Sequence, residues 1–77
     1  MNQNKLGKIF LKAKSEQKDV ALELTVPGRK ATEVIIVKYS NLDYKLGYYQ
    51  NNYTEDLVLK KCADIKIINA KVIDFKM

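Results

Sequence analysis

Residues 19–26 impose the strongest constraint on the fold, because apolar and polar positions alternate there. One side of an extended chain would carry Val20, Leu22, Leu24 and Val26, and the other would carry Ala21, Glu23 and Thr25. A two-residue period is typical of a strand that buries one face against a core. The pattern therefore predicts a half-buried β-strand.

A turn is expected directly after this strand, at Pro27-Gly28. Proline presets φ at the first central position of a β-turn, and glycine accepts positive φ at the next. Residues 31–39 then form a second arm whose centre, residues 34–37, is entirely β-branched. Since both faces of this arm are apolar, we expect it to lie in the middle of the sheet.

Residues 41–53 are predicted to form a helix. Ser40 stands three residues ahead of Asp43, which resembles a capping box at a helix start. Four apolar or aromatic residues fall on one narrow helical face, namely Leu42, Leu46, Tyr49 and Tyr53. That spacing indicates a stripe that faces the core.

The two ends of the chain are predicted to be strands. Residues 6–14 alternate in character. Residues 63–76 are rich in Ile and Val, and a break in their phase indicates either a bulge near Asn69 or burial on both faces. Residues 54–61 fit a short strand or an irregular crossing. The predicted order is β-β-β-α-β, an α+β fold in which one helix packs on one face of a small, mostly antiparallel sheet.

A helix is the alternative for the first 18 residues. Leu6, Ile9, Phe10 and Ala13 are also spaced for one helical face. Such a helix would cover a sheet face that the predicted single helix leaves open.

The length of 77 residues allows one modest core, so residues 1–77 are expected to form a single domain. No apolar run approaches the roughly 20 residues that span a bilayer. Lysines interrupt the N-terminal stretch, where a signal peptide would be continuously apolar. The single cysteine, Cys62, fits a reducing compartment. We therefore expect a cytoplasmic protein that does not enter a membrane.

The sequence contains no histidine, which removes the commonest general base at neutral pH and the commonest metal ligand. Cys62 follows two lysines, which favour a reactive thiolate, but a free cysteine is more often a small buried hydrophobe. Glu55 and Asp56 lack the spacing of a cation-binding loop. We expect a non-enzymatic binding protein without a catalytic site, a metal site or a cofactor.

All five tyrosines lie within residues 39–53. On the predicted helix, Tyr44, Tyr48 and Asn51 point away from the core stripe, with Gly47 beside them. Exposed tyrosines offer large contact areas to a partner, and a glycine inside a helix costs about 1 kcal/mol relative to alanine. The predicted partner-binding residues are therefore Tyr44, Gly47, Tyr48 and Asn51. The alternative is that Tyr44 and Tyr48 lie against a neighbouring loop or the N-terminal segment.

The formal net charge of +5 raises a second interpretation, binding of nucleic acid. Lysines around an exposed aromatic ring are typical of single-strand binding platforms. The candidate residues are Lys8, Phe10, Lys12, Lys60, Lys61 and Lys66. Arg29 is the only arginine, which argues against sequence-specific recognition. The alternative is an edge strand that lysines protect from aggregation.

Several motifs together resemble those of small proteins encoded by phages and mobile elements of Gram-positive bacteria. They are the Pro27-Gly28 turn, a KLGYY helix at residues 45–49, a YTEDL segment at residues 53–57 and an IKI strand at residues 65–67. Thr54 stands where that pattern has aspartate. The resemblance extends over most of the chain from Val20 onward. It implies a phage accessory role, with no assigned activity and no site residues.

Our leading hypothesis is a phage-type accessory protein that binds a host or phage protein, for instance as an inhibitor of host defence or replication. The alternatives are a basic nucleic-acid-binding protein and a structural or assembly subunit of the virion. A homodimer is also expected, because one helix covers only one face of an apolar sheet and a two-fold contact would bury the other.

Overall fold

The computed structural model describes residues 1–74. Its elements in chain order are α1 (Gln3–Glu16), β1 (Asp19–Leu24), β2 (Glu33–Val37), a 3-10 turn (Tyr39–Asn41), α2 (Leu42–Asn52) and β3 (Ile67–Ile73). The strands form one antiparallel sheet in the order β2-β1-β3. The predicted α+β class with an antiparallel sheet is confirmed. Phe75 and Lys76, at the end of the predicted last strand, lie outside the described residues.

The opening segment is a helix, so the strand predicted at residues 6–14 is wrong and its helical alternative is correct. The Asn2 side chain accepts a hydrogen bond from the Lys5 N–H at 2.9 Å and caps the start of α1. Gln17 ends the helix in the left-handed conformation, with φ of 55°. Helical spacing prevails because it buries Leu6, Phe10 and Ala13 on one side, whereas a strand would place Phe10 and Ala13 on opposite faces.

The middle of the sheet is β1, so the central position predicted for the second arm of the hairpin is wrong. Leu22 of β1 lies opposite Ile35 of β2 on one side and Ala70 of β3 on the other. Val34 of β2 is 63% exposed, and Ile35 and Ile36 are 38% and 37% exposed. The β-branched run reflects strand conformation rather than burial on both faces.

The Pro27-Gly28 turn is confirmed. Gly28 has φ of 74°, and the Arg29 N–H donates to the Val26 carbonyl at 3.3 Å. A glycine is required at this position because other residues rarely adopt that φ.

Helix α2 lies within one residue of its predicted bounds at each end, but the predicted capping box is absent. The N-cap is Asn41, and no side chain bonds there. Ser40 belongs to the preceding 3-10 turn, which moves it out of the cap position. Asp43 instead accepts two hydrogen bonds from the Lys14 ammonium.

Both helices contribute to one core on a single face of the sheet. Helix α1 packs on β1 and β3, and α2 packs on α1. The core cluster comprises Leu6, Phe10, Ala13, Val20, Leu22, Leu24, Val37, Leu42, Tyr49, Tyr53, Leu57, Ile67 and Ala70. The strand register places another set of side chains on the opposite face, which we call the open face: Ala21, Glu23, Val34, Ile36, Asn69 and Lys71. None of these open-face residues belongs to the core cluster.

The last part of the described chain contains the predicted bulge. The register between β1 and β3 shifts where Glu23 lies opposite Asn69 and Leu24 lies opposite Ile67, which leaves Ile68 as the extra residue. Residues 54–61 form no regular strand. Isolated bridges instead join Tyr53 to Leu59 and Val58 to Lys66.

Candidate functional site

The inner side of α2 carries the predicted core stripe. Leu42, Tyr49 and Tyr53 are buried, and Leu46 is half-buried. The Tyr49 ring meets Phe10 edge-on at 6.3 Å and Tyr53 at 5.4 Å between ring centroids. Burial raises the pKa of Tyr49 to about 12, and it raises the pKa of Tyr53 in the same direction. These rings join α2 to α1 and belong to the structural core.

Polar contacts hold the two ends of α2 against α1. The Gln3 amide donates to the Tyr49 carbonyl at 2.9 Å and to the Thr54 carbonyl at 3.2 Å, so it satisfies acceptors at the C-terminal end of α2. At the other end, the Lys14 ammonium lies 2.7 Å and 2.9 Å from the Asp43 carboxylate oxygens. The hydrogen bond to Asp43 raises the pKa of Lys14.

The sequence analysis did not predict these hydrogen bonds between α1 and the ends of α2. Their partners lie far apart in the chain, 46 residues for Gln3 and Tyr49 and 29 for Lys14 and Asp43, and no local pattern links them.

The opposite side of α2, which we call the outer face, consists of the predicted partner-binding residues Tyr44, Gly47, Tyr48 and Asn51. Tyr44 is 75% exposed and Tyr48 is 38% exposed. Asn51 is also exposed, and Gly47 is half-buried. The structure therefore brings all four residues to one helix surface. Because the Tyr44 side chain is so exposed, it does not lie beneath a loop or the N-terminal segment of the described chain.

Tyr48 projects from the outer face but rests on the core. Its ring meets the Tyr49 ring edge-on at 5.3 Å and lies 6.4 Å from the Tyr53 ring. The Lys45 ammonium sits 5.4 Å from the centroid of the Tyr48 ring. These neighbours restrict the movement of the ring.

Gly47 lies beside both tyrosines, and a Cβ added there would meet nothing within 4 Å. The close approach that its position in the helix predicted is therefore not made by any part of residues 1–74. Gly7 in α1 likewise has open space around its missing Cβ. Packing within the described chain requires neither helical glycine.

The candidate nucleic-acid surface does not form as predicted. Phe10 is 2% exposed and packs in the core, so its ring is not available to stack on bases. Lys8, Lys12, Lys60, Lys61 and Lys66 are all exposed. Backbone hydrogen bonds place two of these lysines beside different elements. The Lys60 backbone N–H donates to the Asn52 carbonyl at the end of α2, whereas the Lys66 backbone N–H donates to the Thr25 side chain just beyond β1. The lysines remain a basic surface without the predicted aromatic platform. Lys8 and Lys12 lie on a helix, so they protect no sheet edge.

A shallow groove between α1 and α2 was not foreseen from the sequence. It is lined by Gly7, Lys8, Leu11, Leu46, Gln50 and Glu55, among others. Leu11 is 67% exposed there. The helical alternative for the first 18 residues would have suggested an exposed Leu11, because Leu11 falls outside the Leu6, Phe10 and Ala13 stripe.

Within residues 1–74, no three His, Cys, Asp or Glu side chains are grouped so as to hold a metal ion. Cys62 is a free, half-buried cysteine. Neither α1 nor α2, the helices of the described chain, has the length and apolar character needed to cross a membrane.

Comparison with protein-family models, curated proteins and solved structures gave no match. The resemblance to phage-encoded proteins therefore stays a prediction based on the sequence motifs.

Proposed function

We propose that this protein is a non-enzymatic binding protein that engages a protein partner through the outer face of α2. The observation that carries the proposal is the joint exposure of Tyr44 and Tyr48 beside an unobstructed Gly47. Tyrosine is enriched at interface hot spots because it buries a large ring while its hydroxyl keeps a polar partner.

The geometry suits recognition along a helix. Positions 44, 47, 48 and 51 follow the spacing of one helical face. Because Tyr48 rests on Tyr49 and Tyr53, it loses little side-chain freedom on binding, which reduces the entropic cost of the complex. Gly47 leaves the backbone accessible, so a partner side chain can reach α2 beside the two rings.

A protein fits this surface better than a nucleic acid. Tyr44, Gly47, Tyr48 and Asn51 carry no formal charge, and the centres of protein interfaces are depleted of charge and enriched in tyrosine. The buried position of Phe10 also removes the aromatic residue on which the nucleic-acid interpretation depended. The phage-like motifs favour a host or phage protein in the host cytoplasm as the partner, with inhibition of host defence or replication as the proposed outcome.

Affinity capture from host lysate tests the proposal. The double variant Tyr44→Ala/Tyr48→Ala is expected to bind the captured partner at least about tenfold more weakly, since hot-spot tyrosines commonly contribute more than 1.4 kcal/mol. Tyr39→Ala is the matched control, because Tyr39 is an exposed tyrosine that precedes α2. Circular dichroism should show unchanged helix content in both proteins.

Two outcomes would contradict the proposal. One is capture that is unaffected by the double variant. The other is capture that disappears on nuclease treatment and in the variant Lys60→Gln/Lys61→Gln/Lys66→Gln, which would support the nucleic-acid function instead. Recovery of virion shell proteins as the captured partners would indicate the assembly role.

A further inference from the structure

We infer that β2 pairs antiparallel with β2 of a second copy of this chain, which joins the two sheets into one six-stranded sheet. The two-fold axis would pass beside Ile35. This surface is distinct from the outer face of α2, so the inference does not depend on the proposed function.

The two edges of the sheet differ sharply in how they are protected. Along β3, a bulge at Ile68 interrupts the register, and Asn69 and Lys71 carry polar side chains. The start of β3 is also covered, because the Ile67 N–H donates to the Leu57 carbonyl at 3.0 Å. Bulges, lysines and covering segments are the usual means by which a sheet edge avoids pairing with another chain.

The β2 edge has neither a bulge nor a lysine within residues 33–37. Its pairing with β1 runs without a shift from Glu33 to Val37. Val34, Ile35 and Ile36 are all exposed. A regular apolar edge strand presents a row of backbone donors and acceptors that another strand can satisfy.

A second β2 is the occupant that fits this edge, because an antiparallel strand pair with a two-fold axis is self-complementary. With the axis beside Ile35, Val34 of each copy lies opposite Ile36 of the other on the open face. The two Ile35 side chains then face each other on the helical side of the sheet. Directly opposed β-branched side chains are favourable cross-strand pairs.

The charges around β2 also favour an uncharged partner strand. Glu33 accepts from the Arg29 guanidinium at 2.9 Å, and the Lys38 ammonium lies 3.7 Å from the Asp19 carboxylate. The charges at the two ends of the strand, Glu33 and Lys38, are thus already paired within each copy. An acidic or basic peptide would gain little at this edge, whereas an apolar strand would cover Val34 and Ile36.

The first test is the molar mass in solution, measured by light scattering and sedimentation from low micromolar to several hundred micromolar. The wild-type mass is expected to rise with concentration towards twice 8.9 kDa. Val34→Lys/Ile36→Lys should remain monomeric, because four lysines would then meet near the axis. Leu11→Lys is the matched control, since it replaces an apolar residue on α1 that is 67% exposed, close to the 63% of Val34, and it should leave the dimer intact.

The second test locates the axis by cross-linking. In a Cys62→Ser background, Ile35→Cys should form a disulfide-linked dimer on mild oxidation, because directly opposed Cα atoms of an antiparallel pair lie about 4.5–5.5 Å apart, within the range that a disulfide spans. Leu11→Cys in the same background should not. A wild type that stays monomeric at every concentration overturns the inference. So does a dimer that survives Val34→Lys/Ile36→Lys and fails to cross-link at position 35, or an assembly that grows beyond two copies.

Discussion

The layer between α1 and the sheet and the outer surface of the molecule both contain large apolar and aromatic side chains, but these side chains are buried in the first region and exposed in the second. In the inner layer, Leu22 and Phe10 are buried because α1 packs on β1 and β3. Outside, Val34 on the open face is 63% exposed and Tyr44 on α2 is 75% exposed. Hydrophobic character therefore does not decide burial in this protein. Burial is decided by α1, which packs on one side of the small sheet, and by α2, which packs on α1.

The sharpest test of this contrast replaces one apolar residue from each region. Leu22→Ala should cost about 2–5 kcal/mol of unfolding free energy, because it opens a cavity in a closed core. Val34→Ala should cost less than about 1 kcal/mol at low micromolar concentration. Urea denaturation followed by circular dichroism measures both values.

Equal costs for the two variants at low protein concentration would contradict the contrast. A cost of Val34→Ala that appears only at high concentration would instead show that a second copy buries the open face.

An intermediate effect is expected from Tyr49 at alkaline pH. Burial raises its pKa from 10.0 to about 12, so the folded state holds the phenol proton more tightly than the unfolded state does. The resulting stabilisation is fully present below pH 10 and is lost as the pH rises through 12, with a change of about 2–3 kcal/mol.

Melting temperatures between neutral pH and pH 12 measure this loss. Tyr49→Phe keeps the ring but removes the titrating group, so most of the alkaline decline should disappear. Tyr44→Phe is the matched control on the outer face and should decline as the wild type does. A Tyr49→Phe protein with the full decline would show that other groups cause it.

The smallest effect is expected at the two helical glycines. Gly7→Ala and Gly47→Ala should each raise stability by about 0.5–1 kcal/mol, because alanine favours the helix and the new methyl group meets nothing within 4 Å. Thermal melts measure the gain. A loss of stability at either position would contradict the open surroundings that the structure shows.

Gly47→Ala also refines the proposed binding surface. If the variant is more stable and yet captures its partner more weakly, the partner approaches the backbone of α2 at this point. Gly7→Ala, which lies on α1, should leave capture unchanged.

Local signals in the sequence were sufficient for several elements. The alternation around Leu22 identified β1, Pro27-Gly28 identified the turn, and the break in phase near Asn69 identified the bulge. The spacing of Leu42, Tyr49 and Tyr53 identified the inner side of α2, and so the four residues of its outer face as well.

Other predictions were wrong because they relied on a local signal that the tertiary structure overrides. Residues 6–14 satisfy both a strand and a helix period, and only contact with the sheet selects the helix that buries Phe10. The predicted cap at Ser40 is absent because Ser40 belongs to the 3-10 turn that precedes α2, and Asp43 pairs with Lys14, 29 residues away in the chain.

What the sequence by itself determined was the conformation of most segments, because alternation, helical spacing and turn residues act over a few positions. Only the tertiary structure decided which strand lies at the centre and which apolar residues remain exposed. Those outcomes depend on contacts between distant segments, because α1 packs on β1 and β3 and α2 packs on α1. The exposed edge of β2 and the outer face of α2 follow from that arrangement, and no local pattern encodes it.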